Sequence, residues 1–369
     1  MNTEDHLAHQ IALSLIPGIG SVTARNLIAY IGSVEGIFKE KEKALMKIPG
    51  VGEISAQRVA GQNVLERAKR EVDFIHKNHI QTFFYLDENY PSRLKNCSDA
   101  PIILFYKGEA NVNEKRILSI VGTRSATNYG KEICEELIQC FSKRNYPLLV
   151  VSGLAYGVDV QVHKACLKYD IPTVAVLGHG LDLIYPSLHA PIAAKMLDKG
   201  GLMSDFPSET PIDRQNFLRR NRIIAGLADA VVVVESAEKG GALVTANIAN
   251  SYNRDVFAFP GRCSDPYSKG CNNLIKSNEA ALIDSYLDIE KAMNWDIKSS
   301  PSHAIQTSMF VDLTHDEQKL FNLIQGGDRF IDELTIETQL PMSKVSVLLF
   351  ELELKGLITS LPGKMYRVK

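Results

Sequence analysis

The chain has 369 residues, more than one ordinary core accommodates, which predicts two or three domains. Its composition, 45% hydrophobic and 23% charged, is that of a folded globular protein, and without a run of about 18 apolar residues it offers no membrane span. A formal net charge of −2 argues against nucleic-acid binding through global electrostatics, so any such function needs a local basic patch.

In chain order, Met1 to Gln10 is polar and acidic and has no basic region followed by an apolar core, so it does not read as a secretory signal. A near-repeat follows. Ile16-Pro17-Gly18-Ile19-Gly20 leads to Ala24, and Ile48-Pro49-Gly50-Val51-Gly52 leads to Ala56. Each is a tight glycine turn opening a helix, with a small residue where the next helix packs, which is the helix-hairpin-helix pattern. We assign residues 1–80 to such a helical domain, related to the SAM-like type. Strand-like runs at Thr82–Leu86 and Ile102–Tyr106 flank a Tyr90-Pro91 turn. Then apolar β-branched runs (Ile117–Val121, Leu148–Val151, Thr173–Leu177, Ala230–Val234, Val256–Phe259) alternate with helix-period segments. Near-continuous apolar strands between helices predict a mostly parallel sheet covered on both faces, a doubly wound Rossmann-like α/β domain spanning 81–295. The polar stretch 296–310, with Ser299-Ser300-Pro301-Ser302, reads as a linker. Residues 311–369 read as three helices, the third capped by Ser343, followed by a β-ribbon around Pro362-Gly363, the winged-helix arrangement.

In open α/β sheets ligands bind beyond the carboxyl ends of the strands, so the residues after each strand carry the chemistry. They are Gly122-Thr123-Arg124, then Ser152-Gly153 running to Asp159, then Gly178-His179-Gly180 with Asp182, and Lys239-Gly240-Gly241 running to Thr245. Bare backbone N–H groups, a helix start behind them and a fixed cation nearby make an anion site; Gly240-Gly241 form the cradle and Arg124 is the cation. The basic patch that the net charge demands is Arg214-Gln215-Asn216-Phe217-Leu218-Arg219-Arg220-Asn221-Arg222. Its arginines suit phosphates and Phe217 suits stacking on an unpaired base, worth about 1–3 kcal/mol.

Other chemistries find little support. No G-x-G-x-x-G or G-x-x-x-x-G-K-[ST] occurs at these loops, which disfavours an ordinary dinucleotide or ATP cofactor. No G-x-S-x-G or H-E-x-x-H occurs, so no catalytic residue is assigned. The six cysteines form no C-x-x-C pair, which predicts reduced thiols and no metal site. A nucleotide-processing enzyme using His179, Asp182 or Glu235 as the acid–base group remains the alternative, and a regulator acting through the winged helix is a third reading.

At these loops the sequence resembles the DNA-processing protein A family, DprA or Smf. The resemblance rests on VGTR (Val121–Arg124), SGLAYGVD (Ser152–Asp159), AVLGHGLDLIYP (Ala175–Pro186), FLRRNRIIAGL (Phe217–Leu227), KGGALVTA (Lys239–Ala246), FPG (Phe259–Gly261) and GCNNLI (Gly270–Ile275). It implies a non-enzymatic cytoplasmic protein that binds incoming single-stranded DNA in natural transformation, shields it and helps load the RecA recombinase. It also implies a homodimer built on the Rossmann-like domain, and a pocket using Arg124, Arg214 and Phe217, with Asn221-Arg222 in the same motif. Leu218 departs from a proline common in the family, and His189 from an asparagine. The third helix of the winged unit sets Lys344 and Lys355 against Glu351 and Glu353, so we expect an interaction or auxiliary unit there rather than a duplex reader.

Overall fold

Residues 3–144, 146–295, 313–361 and 363–368 are described by a computed structural model. The expected linker at 296–310 lies outside the described residues, as does Pro362 of the expected turn. Among the described residues the N-terminal part folds into six helices, α1 (Thr3–Leu15), α2 (Ser21–Ile31), α3 (Val34–Ile37), α4 (Glu42–Leu45), α5 (Glu53–Ala60) and α6 (Leu65–Lys77). Gly18 and Gly50, one per repeat, both take positive φ (77° and 79°), which is why the two turns need glycine there. Ala24 and Ala56, on the helices that follow, are both buried in one core with Ile11, Leu27 and Ile37.

The central part runs β1 (Gln81–Phe84), α7 (Ser92–Lys95), β2 (Ile103–Gly108), β3 (Ile117–Val121), α8 (Asn128–Ser142), β4 (Leu149–Ser152), α9 (Val158–Lys168), β5 (Thr173–Val176), α10 (Ala190–Met196), β6 (Gly201–Ser204), α11 (Arg214–Leu227), β7 (Ala230–Val233), α12 (Gly241–Ser251), β8 (Asp255–Ala258), α13 (Lys269–Lys276), β9 (Ala281–Leu282) and α14 (Tyr286–Ala292). Among the described residues nine strands form one sheet in the order β1-β2-β6-β5-β4-β3-β7-β8-β9. The pairs from β6 to β9 are parallel, while β1–β2 and β2–β6 are antiparallel. The doubly wound, mostly parallel sheet is thus as expected. Leu118, Ile120, Val150 and Val232 face α8 and α9 on one side, whereas Val151, Val176 and Val233 face α11 and α12 on the other. Each such buried aliphatic side chain contributes about 1.5–3 kcal/mol.

Two features of the sheet were not read from the sequence. β6 is a four-residue strand, Gly-Leu-Met-Ser, too short and too glycine-marked to stand out, yet it joins β5 to the antiparallel edge. β2 alternates between two cores: Leu104 and Tyr106 belong to the central one, Ile103 and Phe105 to the helical one. The N-terminal helices therefore lean on the sheet edge rather than hanging from it.

The C-terminal part has α15 (His315–Gln325), β10 (Arg329–Phe330), α16 (Ile331–Thr338), α17 (Met342–Leu354), β11 (Ile358–Leu361) and β12 (Met365–Val368), with strand order β10-β12-β11. This is a winged helix, with Val345, Leu348, Leu349 and Leu352 of α17 in its core. Ser343 does not cap α17. Pro341 holds the cap position and Ser343 lies in the first turn, because the preset φ of a proline suits a helix start. Among the described residues no helix is long and apolar enough to cross a membrane.

Candidate nucleic-acid interface

Chain order reverses direction at β3. From β3 the chain winds through β4 and β5 to β6, then returns to lay β7 on the other side of β3. The loops after β3 and β7 diverge there and open a crevice at their carboxyl ends. A cavity of about 510 Å³ occupies it.

Three loops build this rim and are tied to one another by backbone. The Thr123 N–H donates to the Glu235 carbonyl at 2.7 Å, and the Val158 N–H donates to the Thr123 carbonyl at 3.1 Å. Gly157 makes the second contact possible. Its φ is +79°, and a Cβ there would lie 2.1 Å from the Thr123 oxygen. Glu235, fully buried, accepts the Thr127 N–H at 2.9 Å and the Thr127 hydroxyl, which anchors the loop that carries Arg124.

The helix α11 supplies one wall. Asp213 starts it by accepting the Gln215 N–H at 2.6 Å. Its first turn then presents Arg214, exposed, and Phe217, half-buried. The Arg124 guanidinium sits 5.8 Å from the centre of the Phe217 ring, in cation–π range. Opposite stands the start of α12, where Gly240 and Gly241 are exposed and Lys239 precedes them. Arg124, Arg214 and Lys239 line the cavity, and among the described residues the side chain of none of the three makes a hydrogen bond or ion pair. Three unspent cations, an unobstructed helix start and a flat ring thus converge on one cleft in a protein of net charge −2.

The arrangement uses the other expected residues differently. Gly122, Thr123, Asn221 and Thr245 also line the cavity. Asn221 and Thr245 both donate to the Gly241 carbonyl, at 3.3 and 3.2 Å, so they brace the cradle from behind. Ser152 is buried and donates to the Ile120 carbonyl at 2.7 Å. Gly153 lies under the floor, where a Cβ would stand 2.5 Å from both the Arg220 guanidinium and the Asp159 carboxylate. Arg219 is exposed, but points away over the Phe206 ring at 5.3 Å.

Two of the four arginines are not free. Arg220 is 4% exposed and donates to the carbonyls of Gly153, at 2.7 Å, and Val176. Burial pulls its pKa down to about 10, offset in part by Asp159. Burial likewise pushes the Asp159 carboxyl above the ordinary carboxylate range, against the opposing charge of Arg220. Arg222 pairs with Asp205 at 2.6 Å and donates to the Asp99 carbonyl. The basic run therefore offers Arg214 and Arg219 to solvent and spends Arg220 and Arg222 on the fold. A helix brings one position in three or four to the same face, and this helix packs on the sheet from Arg220 onward.

Tyr185-Pro186 stands out in sequence on the loop after β5, but sequence reasoning assigned Tyr185 no contact. Its ring stands 5.8 Å from that of Phe217, tilted by 39°, and is 44% exposed, so the aromatic surface is larger than one ring. The signal available was a tyrosine before proline on a rim loop. Each acid–base candidate makes at least one contact within the fold. His179 is buried, donates from Nδ1 to the Gly180 carbonyl at 2.9 Å, has no hydrogen-bond partner on Nε2 among the described residues, and burial lowers its pKa. Asp182 accepts the Glu209 N–H at 3.0 Å, and Glu235 is tied to Thr127. Among the described residues no group of three or more His, Cys, Asp or Glu is placed to hold a metal ion.

Comparison with known proteins agrees with this layout. The family described as DNA recombination-mediator protein A matches residues 81–294, the DprA winged helix domain matches 311–364, and the SAM-like helix-hairpin-helix tandem matches 11–60. Protein Smf of Escherichia coli K12 is 33% identical, over 83% of this chain and 85% of its own. DNA processing protein DprA of Bacillus subtilis is 38% identical over 55% of this chain and 68% of its own. Among solved structures, DNA processing protein A of Streptococcus pneumoniae superposes with a TM-score of 0.62 at 30% identity, covering 77% of this chain and 97% of that one. The Helicobacter pylori protein, whose structure is described for its single-stranded DNA binding mode, superposes with a TM-score of 0.53 at 26% identity, covering 59% and 96%.

Proposed function

The chain belongs to the DNA recombination-mediator protein A (DprA/Smf) family, and from that premise we propose that it binds single-stranded DNA across the β3–β7 crevice. The observation that carries this reading is the meeting of Arg124, Arg214 and Lys239 with the Phe217 ring in one cleft. Phosphates take the cations and the Gly240-Gly241 helix start; an unpaired base takes the ring. A duplex keeps its base faces stacked and cannot offer one to Phe217, so it loses that part of the affinity. The Helicobacter pylori relative's single-strand binding supports the same ligand.

In this reading the protein works by binding and not by catalysis, since His179, Asp182 and Glu235 serve the fold. It acts in the cytoplasm as a homodimer through its Rossmann-like part, protects incoming strands in transformation and recombination, and helps place RecA on them. We take the chain as units at 1–80, 81–295 and 311–369 joined by a linker at 296–310, with the last an interaction module. Lys344 of α17 and Lys355 just after it are tied to Asp316 and Glu317, which supports that role. Fluorescence anisotropy with the full chain tests the reading: an oligothymidine should bind at least about fivefold more tightly than the duplex of the same length, corresponding to about 1–3 kcal/mol per stacked base. Equal affinity for both, or saturable binding of a mononucleotide, would refute it. RecA-catalysed strand exchange on strands coated with single-strand-binding protein tests the mediator role.

A further inference from the structure

One buried carboxylate links the N-terminal helices to the proposed strand-binding wall. Glu71 lies on the face of α6 that carries Ala68, Val72 and Ile75, and it is 1% exposed. A carboxylate at that depth is costly unless fully partnered. Its partners beyond Arg67 come from the segment between β6 and α11. Oε1 accepts the Ser208 N–H at 2.9 Å, and Oε2 accepts the Ser208 hydroxyl together with Arg67 Nη1 at 2.8 Å. Arg67 donates in turn to the Ser208 carbonyl at 2.5 Å and stands 3.5 Å from Glu209. Every polar atom of Ser208 is thus held by α6.

The segment is gripped from the other side as well. Asp182, on the loop after β5, accepts the Glu209 N–H at 3.0 Å. Thr210 donates to the Pro207 carbonyl at 2.6 Å, Asn216 donates to the Pro211 carbonyl at 3.2 Å, and Asp213 caps α11. Residues 207–213 therefore form a hydrogen-bonded strut that runs from α6 into the turn carrying Arg214 and Phe217. The bodies it joins are already packed, since Ile103 and Phe105 of β2 lie in the helical core.

We infer that Glu71, with Arg67, is a positioning residue for strand binding, holding 207–213 so that Arg214 and Phe217 face Arg124 across the cleft. The inference rests on the strand-binding reading above. It makes the N-terminal helices part of the binding apparatus through this contact, a role distinct from any direct grip of their hairpins on DNA.

A double-mutant cycle in the full chain tests it, read by anisotropy with labelled oligothymidine. Glu71→Gln keeps the shape and removes the charge, and should weaken binding about tenfold, the scale of a lost charge-assisted hydrogen bond. Made in an Arg214→Ala, Phe217→Ala background it should add less than about twofold, because its effect passes through those two side chains; made in a Lys239→Ala background it should keep its full effect. Ser208→Ala, a milder cut in the same strut, should show the same pattern and serves if Glu71→Gln fails to fold. Equal multiplication of the loss in both backgrounds would mark a general loss of stability and overturn the inference. Unchanged affinity on Glu71→Gln, with Phe217→Ala still impaired, overturns the strut alone. Unchanged affinity on Phe217→Ala overturns the strand-binding reading and the strut with it.

Discussion

Arg220 separates structural from binding arginines within one motif, and its removal should show up first as lost stability. Arg220→Ala takes the donor from the Gly153 and Val176 carbonyls and removes the main positive charge offsetting Asp159, 7% exposed. Losing two hydrogen bonds from a buried charged donor costs about 3–5 kcal/mol. At about 2–4 °C per kcal/mol for a unit of this size, the midpoint of thermal unfolding should fall by about 6–20 °C. The loss should depend on pH in a definite direction. Burial already raises the Asp159 pKa above its unfolded value, and losing Arg220 raises it further. A carboxyl shifted upward is unstrained below its unfolded pKa and destabilises the fold as pH rises through the normal carboxylate range and beyond. Arg220→Ala should therefore be worse at pH 8 than at pH 5. Adding Asp159→Asn should recover part of the loss, since no buried charge is then left unpaired. Arg214→Ala, at an exposed position, should stay within about 0.5 kcal/mol of the parent. Circular dichroism melts of the parent and the three variants give the result. An Arg220→Ala protein that melts with the parent would refute the reasoning.

Gly157→Ala places a Cβ 2.1 Å from the Thr123 carbonyl at a φ of +79°, so it should lose at least about 2 kcal/mol in urea unfolding and also weaken strand binding. A silent substitution would contradict the loop geometry. His163 is fully buried, bonded through Nδ1 to the Thr173 hydroxyl at 2.8 Å, and burial holds its pKa at about 3. The unfolded chain binds a proton below about pH 6.5 that the folded chain refuses, so stability should fall as pH drops from there toward 3, by up to about 1.4 kcal/mol per unit. His163→Gln should flatten that slope in denaturant titrations at pH 7, 6 and 5; an unaltered slope would count against it. Deleting residues 311–369 should leave single-strand affinity within about threefold, because Lys344 and Lys355 are already paired. A salt-steep duplex affinity that disappears with the deletion would show the winged helix to be a DNA reader.

Most of the architecture was legible because it is written in local patterns. The runs Ile117–Val121 and Ala230–Val234 are apolar at every position or nearly so, as strands covered on both faces must be. The Gly18 and Gly50 turns repeat at a fixed spacing, and α17 shows one apolar stripe. β6 escaped notice because four residues starting with glycine carry no periodicity, and its place is set by β2 and β5 on either side. The site was legible as a set of loops and illegible as a division of labour. Nothing in Arg219-Arg220-Asn221-Arg222 distinguishes a solvent-facing arginine from one beneath the floor. That depends on where α11 meets the sheet and on Asp159 and Asp205, residues distant in sequence from Arg220 and close only in the fold. The Glu71–Ser208 strut was hidden for the same reason: 137 positions separate its ends, and a glutamate on a highly charged helix reads as solvated.

The central claim is a cleft in which Arg124 and Arg214 hold phosphates while Phe217 holds a base. The direct measurement is the affinity for an oligothymidine as a function of salt, for the parent, Arg124→Ala, Arg214→Ala, Phe217→Ala and the triple variant. Each arginine variant should bind more weakly and lower the slope of log affinity against log salt by about 0.7, the share of one single-strand phosphate contact. Phe217→Ala should lose about 1–3 kcal/mol with its slope unchanged. A triple variant that binds as tightly as the parent would contradict the account.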